Sequence, residues 1–260
     1  MISFFTHSGG AGKIRGEQIA SYLGAKLNPI KGYENDVCIY VKCVPPENYP
    51  NRSYIDVVED SAGLRWAKSR PHIGLIASSK SIYDYLSKKL HNKIVFIPQH
   101  HCNFERVVRT RKDVTVAGII GNKASFQFPL NDLEKKLNRM GIALKTLIKK
   151  RFDDRQEVVD FYKQIDIQLV WRPESDGVLR NPLKLINAMS FGIPTVAYPE
   201  RDFVEEFSGC FIEASSIELL LTYVQGLQRD SDLYKTIFNL ALEKSKYYHI
   251  DNISKLYFKL

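Results

Sequence analysis

The amino-acid sequence predicts an α/β protein of two domains, each built around a mostly parallel sheet. Three observations carry that expectation. Apolar runs of strand length alternate with helical patterns along nearly the whole chain, the rhythm of βαβ units. The rhythm breaks near the middle, at a stretch of different composition, and then restarts. The 260 residues, 44% hydrophobic and 12% aromatic, supply enough apolar surface for two small cores.

In chain order, the first half offers strands at Ile2–Phe5, Val37–Val41, Tyr54–Val58, Ile73–Ala77 and Ile94–Ile97, and helices at Arg15–Leu23 and Ser81–Leu90. The second half begins with a strand at Val114–Ile120 and a helix near Leu130–Met140, stopped by Gly141. A strand at Ala143–Ile148, a helix at Arg155–Gln164 and a strand at Ile167–Trp171 follow. A helix at Pro182–Phe191, a strand at Thr195–Tyr198 and further helix from Ile217 complete the pattern. Between the halves lies Pro98-Gln99-His100-His101-Cys102-Asn103-Phe104, followed by the basic Arg106, Arg109, Arg111 and Lys112. The expected domains are therefore 1–105, 106–245 and a C-terminal helix, 246–260, packing back on the first. Ligands of open α/β sheets sit beyond the carboxyl ends of the strands, so two such Rossmann-like domains facing each other would share one cleft.

The bulk numbers narrow the classes. No apolar stretch approaches the roughly 18 residues of a membrane span. Met1-Ile2-Ser3-Phe4-Phe5 lacks a basic leader and reads as a first strand rather than a signal peptide. Cys38, Cys43, Cys102 and Cys210 have neither zinc-site nor disulfide-framework spacing. A reduced cytoplasmic protein is the plain reading, extended by peripheral placement at the inner membrane surface. The net charge of +8 and pI near 9.2 favour an anionic partner, although they also serve general solubility. Adjacent His100 and His101 would point to opposite faces of an extended segment, so they read as polar linker residues and no metal site is expected.

Two segments carry candidate chemistry. Thr6-His7-Ser8-Gly9-Gly10-Ala11-Gly12-Lys13 follows a strand and opens a helix. A Walker A loop fails at His7 and Ile14, and a dinucleotide fingerprint from Gly10 fails at Arg15. What remains is a glycine turn, read either as a plain strand-to-helix connection or as a backbone cradle at Gly10 and Gly12 with Lys13 and Arg15 nearby. The second segment runs from Trp171 to Ala197. Asn181 suits an N-cap and Pro182 the first helical position. Leu185, Ile186 and Met189 share a buried face, and Gly192 with Pro194 ends the helix. Arg180 and Lys184 then sit beside a helix N-terminus, where a diphosphate is favoured.

Lys184-Leu185-Ile186-Asn187-Ala188-Met189-Ser190-Phe191-Gly192-Ile193-Pro194-Thr195-Val196 resembles the donor-site helix of GT-B glycosyltransferases, especially the retaining family-four (group 1) type, with its K-L-x-E-A-M-A-x-G-x-P-V-V pattern. Glu174-Ser175-Asp176-Gly177 is similar to that family's acidic-glycine loop. Ile94-Val95-Phe96-Ile97-Pro98 resembles its strand before the interdomain linker, and Gly9-Gly10 with Arg15-Gly16 its N-terminal glycine loop. The resemblance implies a GT-B enzyme that moves a sugar from a nucleotide-diphosphate donor such as a UDP-sugar, retaining and metal-independent, with no cofactor. It implies that Lys184 neutralises the donor diphosphate with help from Arg180, and that Lys123, in Gly121-Asn122-Lys123, forms a second phosphate contact. Gly10 and Gly12 would line the same diphosphate, and Lys13 and Arg15 the acceptor side. Asn187, where the family carries a ribose-gripping glutamate, and Arg172 would meet the nucleoside. The family's two glutamates eight residues apart are not reproduced, since Leu179 stands at the first position; Glu174 or Asp176 would act from a loop of different length. His7, Glu59 and Asp60, each after a first-half strand, are the acid–base candidates.

Two acceptors suit a basic chain: a cell-envelope glycan or lipid-linked precursor at a membrane, and DNA carrying hydroxymethylated bases, as in phage enzymes. Clusters at Lys88-Lys89, Arg106 to Lys112, Lys135-Lys136 and Lys149-Lys150-Arg151 suit phosphates, though each alone is an ordinary solvated face. A non-catalytic GT-B-like binding protein is the third reading, from the asparagine at 187. The oligomeric state is not expressed in the sequence.

Overall fold

The computed structural model describes all residues except 8, 59–60, 111–112, 153 and 174–180, together with the side chains at 61–62. The chain divides into two compact units: Met1–His100 with Tyr248–Leu260, and most of 101–247.

In the first unit, apolar and β-branched runs form six parallel strands: β1 (Ile2–Thr6), β2 (Lys26–Leu27), β3 (Val37–Val41), β4 (Ser53–Val57), β5 (Gly74–Ala77) and β6 (Ile94–Phe96), in the order β2-β1-β3-β4-β5-β6. β3 and β4 are buried along their whole length, as expected of strands covered on both faces. After β1 a π-helical turn, Gly12–Gln18, continues as α1 (Ile19–Leu23) and ends at Gly24 in the left-handed region. α2 (Ser61–Lys68) joins β4 to β5, and α3 (Lys80–Lys89), capped by Ser79 accepting from the Ile82 amide, joins β5 to β6. Ala67, Ile82 and Leu86 of these helices pack on Ile55, Val57, Leu75 and Ala77, all on one face of the sheet.

The second unit has a five-stranded parallel sheet: β7 (Val116–Gly121), α4 (Leu130–Asn138), β8 (Ala143–Ile148), α5 (Arg155–Tyr162), β9 (Ile167–Val170), α6 (Leu183–Ser190), β10 (Thr195–Ala197), α7 (Arg201–Phe207), β11 (Ile212–Glu213), α8 (Ile217–Arg229) and α9 (Ser231–Ser245), with strand order β11-β10-β9-β7-β8. Its core joins Ile119, Ile167, Leu169 and Val196 of the sheet to Leu133, Leu137, Leu220 and Val224 of the helices. Helix α6 starts one residue later than expected, with Pro182 rather than Asn181 as its cap residue. Gly192, at φ 70°, ends it where any side chain would overlap the Phe238 ring on α9.

The last stretch, α10 (Ile250–Leu256) with its terminal turn, belongs to the first unit. Tyr257 packs 5.4 Å from the Phe4 ring, and the Tyr54 hydroxyl donates to the Leu260 carbonyl at 3.0 Å. Near this docking lies a buried charge pair. Asp56 sits inside the all-buried β4, and Arg15 Nε donates to its two oxygens at 2.9 and 2.7 Å while Nη2 donates to the Ile97 carbonyl at 2.8 Å. Desolvation, the largest single influence, pulls the Arg15 pKa down, but the Asp56 carboxylate and Tyr257 together outweigh it, and the guanidinium stays above its ordinary value. Arg15 is therefore a core residue. The acceptor-side role expected for it is corrected, because a guanidinium that is 1% exposed and bonded to Asp56 has no surface to offer.

Removing one partner strands a buried charge. Asp56→Ala is expected to cost about 3–5 kcal/mol in urea unfolding; a loss under about 1 kcal/mol would contradict the assignment of this pair to the core.

Candidate functional site

A parallel sheet binds ligands where neighbouring strands send their connections to opposite faces. In the second unit that switch point falls between β7 and β9, because the chain leaves β7 toward β8 and later returns to β7's other side. Gly121 ends β7 there with φ 142°, a backbone open to glycine and strained for other residues. Asn122 accepts from the Ala124 amide at 3.0 Å and from Ser125 Oγ at 3.2 Å, which shapes the short turn Lys123–Ser125. A methyl group on Gly121 would overlap Ser125 and come within 2.9 Å of Lys184 Cε. The half-buried Lys184 therefore reaches from the first turn of α6 across the end of β7.

The structure thus brings together two of the expected diphosphate groups, Lys184 and the Gly121-Asn122-Lys123 turn, with Lys123 exposed. The Lys184 carbonyl is held from below by Gln168 Nε2 at 3.2 Å, and the Tyr162 hydroxyl, which donates to Gln168 Oε1 at 2.8 Å, lies 3.3 Å from the same carbonyl. Tyr162 is fully buried and its ring stacks on Phe191 at 5.4 Å. Burial pushes its hydroxyl pKa up, so it serves here as a neutral donor. At the ends of β9 and β10, Arg172 grips Glu200 through two hydrogen bonds, Nε to Oε1 at 2.7 Å and Nη2 to Oε2 at 2.5 Å, both residues being buried. Trp171 meets Tyr198 edge-on at 5.4 Å beside them.

Two nucleoside assignments are corrected by these contacts. Arg172 spends its fork on Glu200. Asn187 is buried, and its Oδ1 accepts from the Cys102 backbone N–H at 2.9 Å, so it fastens the segment after His101 rather than reaching a ribose. Asn103 reinforces this fastening by donating to the Ser190 carbonyl at 2.8 Å.

In the first unit the glycine turn follows β1 at the corresponding switch point, between β1 and β3. The four positions differ in what they meet. Gly9 and Gly10 face open space. At Gly12 a side chain would overlap the His7 carbonyl and Thr6 Oγ1, and at Gly16 it would meet Thr6 Cγ2 at 3.0 Å. The absence of a side chain at Gly12 is thereby explained by helix-on-strand packing. Lys13 is partly exposed, with its amide bonded to the Gly9 carbonyl at 2.9 Å, and His7 is exposed at the end of β1. Asp60, Glu174, Asp176 and Arg180, with Glu59, lie outside the described residues. The expectation of a polar linker is also corrected: Gln99, His100, His101 and Asn103 are all buried. His100 Nε2 donates to the Ile14 carbonyl at 2.9 Å, which anchors the π-helical turn. Among the described residues no three His, Cys, Asp or Glu side chains gather as metal ligands.

Sequence reasoning missed Glu200, Gln168 and Asp56. A signal existed for one of them: Arg172 and Glu200 each follow a buried strand of the same sheet, and a buried arginine demands such a partner. For Asn187, Asn187→Ala is expected to cost about 1–3 kcal/mol by orphaning the Cys102 amide, whereas Asn187→Asp, which keeps an acceptor oxygen, should lose less. Equal unfolding midpoints for the alanine variant and the parent would contradict this role.

No protein-family model matches the chain, and no curated protein matches it in sequence. Solved structures do match in fold. A glycosyltransferase from Rickettsia africae superposes with a TM-score of 0.65 at 12% identity, over 99% of this chain and 96% of that one. WaaG, a glycosyltransferase involved in lipopolysaccharide biosynthesis, gives 0.61 at 10% identity over 98% of each chain. The DNA modifying enzyme β-glucosyltransferase, solved with and without its substrate uridine diphosphoglucose, gives 0.60 at 11% identity over 100% of this chain and 98% of its own. Two parallel-sheet units of this order and these superpositions show that the chain has the GT-B fold of glycosyltransferases.

Proposed function

We propose that the protein is a glycosyltransferase that moves a sugar from a nucleoside-diphosphate donor, a UDP-sugar, to a hydroxyl acceptor in a cell-envelope glycan or lipid-linked precursor. The observation that carries this reading is Lys184 lying across Gly121 at the switch point of the second sheet. A diphosphate placed there meets the Lys184 ammonium, with Lys123 on the adjoining turn. In the reaction the bond between the anomeric carbon and the β-phosphate oxygen breaks, and its electron pair stays on the phosphate. The acceptor oxygen bonds the same carbon, and its proton leaves to the departing phosphate or to a base. Negative charge grows on the diphosphate as this happens, and fixed cations stabilise the transition state more than the ground state.

Retention of configuration and independence of metal are proposed with it, as the retaining family-four type implies. Arg180 is proposed as a further cation, and Glu174 and Asp176 for the reacting sugar; in the first unit His7 and Asp60 are proposed for acid–base work, with Gly10 and Lys13 exposing donors beside the glycine turn. The envelope acceptor is supported by the likeness to WaaG. A DNA acceptor is the second reading, favoured by the equally complete superposition on the DNA modifying β-glucosyltransferase.

Lys184→Ala is expected to lower kcat for transfer or hydrolysis of a UDP-sugar by about 10²–10³-fold, the loss typical of one transition-state donor. A variant with normal kcat would place the donor site elsewhere.

A further inference from the structure

The positive charge of the chain is unevenly placed. Residues 1–100 and 248–260 carry fifteen Lys and Arg against nine Asp and Glu, and the rest of the chain twenty-two against twenty. An excess of that same size is found in residues 61–93, with seven basic side chains and a single acid, Asp84, which Lys80 engages at 3.0 Å. These residues form α2, α3 and the loops entering β5 and β6. Both helices cover the same face of the parallel sheet. Each therefore runs back along it, and their C-terminal ends meet at the edge where β5 and β6 begin. Lys68, Lys88, Lys89 and Lys93 collect at this end, all exposed, with Arg70 stacked 4.2 Å over the Trp66 ring. Among the described residues no ion pair reaches Lys68, Lys88 or Lys89.

We propose that this end of the first unit docks electrostatically on an anionic lipid surface. A lysine in a last helical turn also complements the helix dipole, and Lys93 has a partner of its own, donating to the Tyr54 hydroxyl at 3.1 Å; neither accounts for the near-absence of acids. The ligand class follows from what this end lacks. Helix C-termini present carbonyls, so no row of N–H donors cradles an individual phosphate. Nucleic-acid backbones are gripped by such donors, by arginine forks and by helix N-termini; here the cations are mostly lysines on long stems at the ends of a two-helix layer. A plane of acidic headgroups asks only for such charges within reach. Tyr85, exposed on α3, is an aromatic of the kind that settles at a membrane–water boundary. Because the strands are parallel, this end lies opposite the edge carrying the glycine turn, so docking leaves that edge open. The assignment does not use the proposed transfer reaction.

The test is sedimentation of the full chain with phosphatidylcholine vesicles, with and without phosphatidylglycerol, at low and high salt. Binding is expected only with phosphatidylglycerol and should weaken as salt rises. The triple variant Lys68→Ala, Lys88→Ala, Lys89→Ala is expected to partition on the order of 100-fold less, at roughly five-fold per charge, while the triple arginine variant binds like the parent. All three sites are exposed, so thermal unfolding should stay unchanged. Binding of uridine diphosphate, followed separately by its effect on melting, should be equal in parent and variant, so that failure of the docking face is distinguished from failure of the donor site. The proposal is overturned by equal partitioning of parent and alanine variant, by no binding to anionic vesicles, or by lysine-dependent binding to duplex DNA without binding to vesicles.

Discussion

The candidate site depends on one helix being held at a fixed height and rotation by hydrogen bonds from distant segments. Gln168, itself braced by the Tyr162 hydroxyl, supports the carbonyl of Lys184 at the first turn of α6, and Asn187 and Ser190 receive the Cys102 amide and the Asn103 side chain further along. Arg109 adds its backbone amide to the Phe191 carbonyl at the far end, at 2.9 Å. Leaving any of these buried groups unpaired costs more than the bond itself contributes. The helix is thereby over-determined, and the Lys184 side chain passes over Gly121, where a glycine gives it room. A methyl group at Gly121 would close that course from below.

The two units use glycine after their first strands for different physical reasons. In the first, Gly12 and Gly16 let a widened helix settle on Thr6 and His7. The buried Arg15 beneath that helix then ties it to Asp56 and the Ile97 carbonyl, and His100 ties it at Ile14. Glycine there serves packing. In the second, Gly121 has a positive φ and accommodates a side chain from another element. Glycine there makes room for a cation. Both turns follow from the same sheet topology, in which the first strand of each unit has neighbours reached in opposite directions.

This contrast explains what could be read from the amino-acid sequence. Val37–Val41 and Ala143–Ile148 match the expected strands end for end, because apolar and β-branched runs bounded by polar turns are local signals. β2, with two residues, and β11, with two more, are too short for any periodicity, and α2 is interrupted by Gly63 while α7 reads as a charged turn. The places of Lys184 and of the Gly121 turn in the fold were legible because each depends on its own neighbours: a helix opening beside a proline in one case, a strand ending in glycine in the other. Arg15, Arg172 and Asn187 were misread for the opposite reason. Their partners lie 41, 28 and 85 residues away, and nothing in the local pattern distinguishes a cation aimed at a ligand from one buried against a carboxylate. The linker was misread in the same way, since Gln99 to Asn103 is polar in composition yet buried in place.

The central claim is that a fixed lysine at the end of β7 recognises the diphosphate of a nucleotide. The most direct measurement is calorimetric titration of uridine, uridine monophosphate and uridine diphosphate into the parent protein and Lys184→Met. The account predicts that the diphosphate binds the parent more tightly than the monophosphate and the nucleoside, and that the substitution removes most of that difference. Equal affinity of the parent and the variant for uridine diphosphate would contradict it.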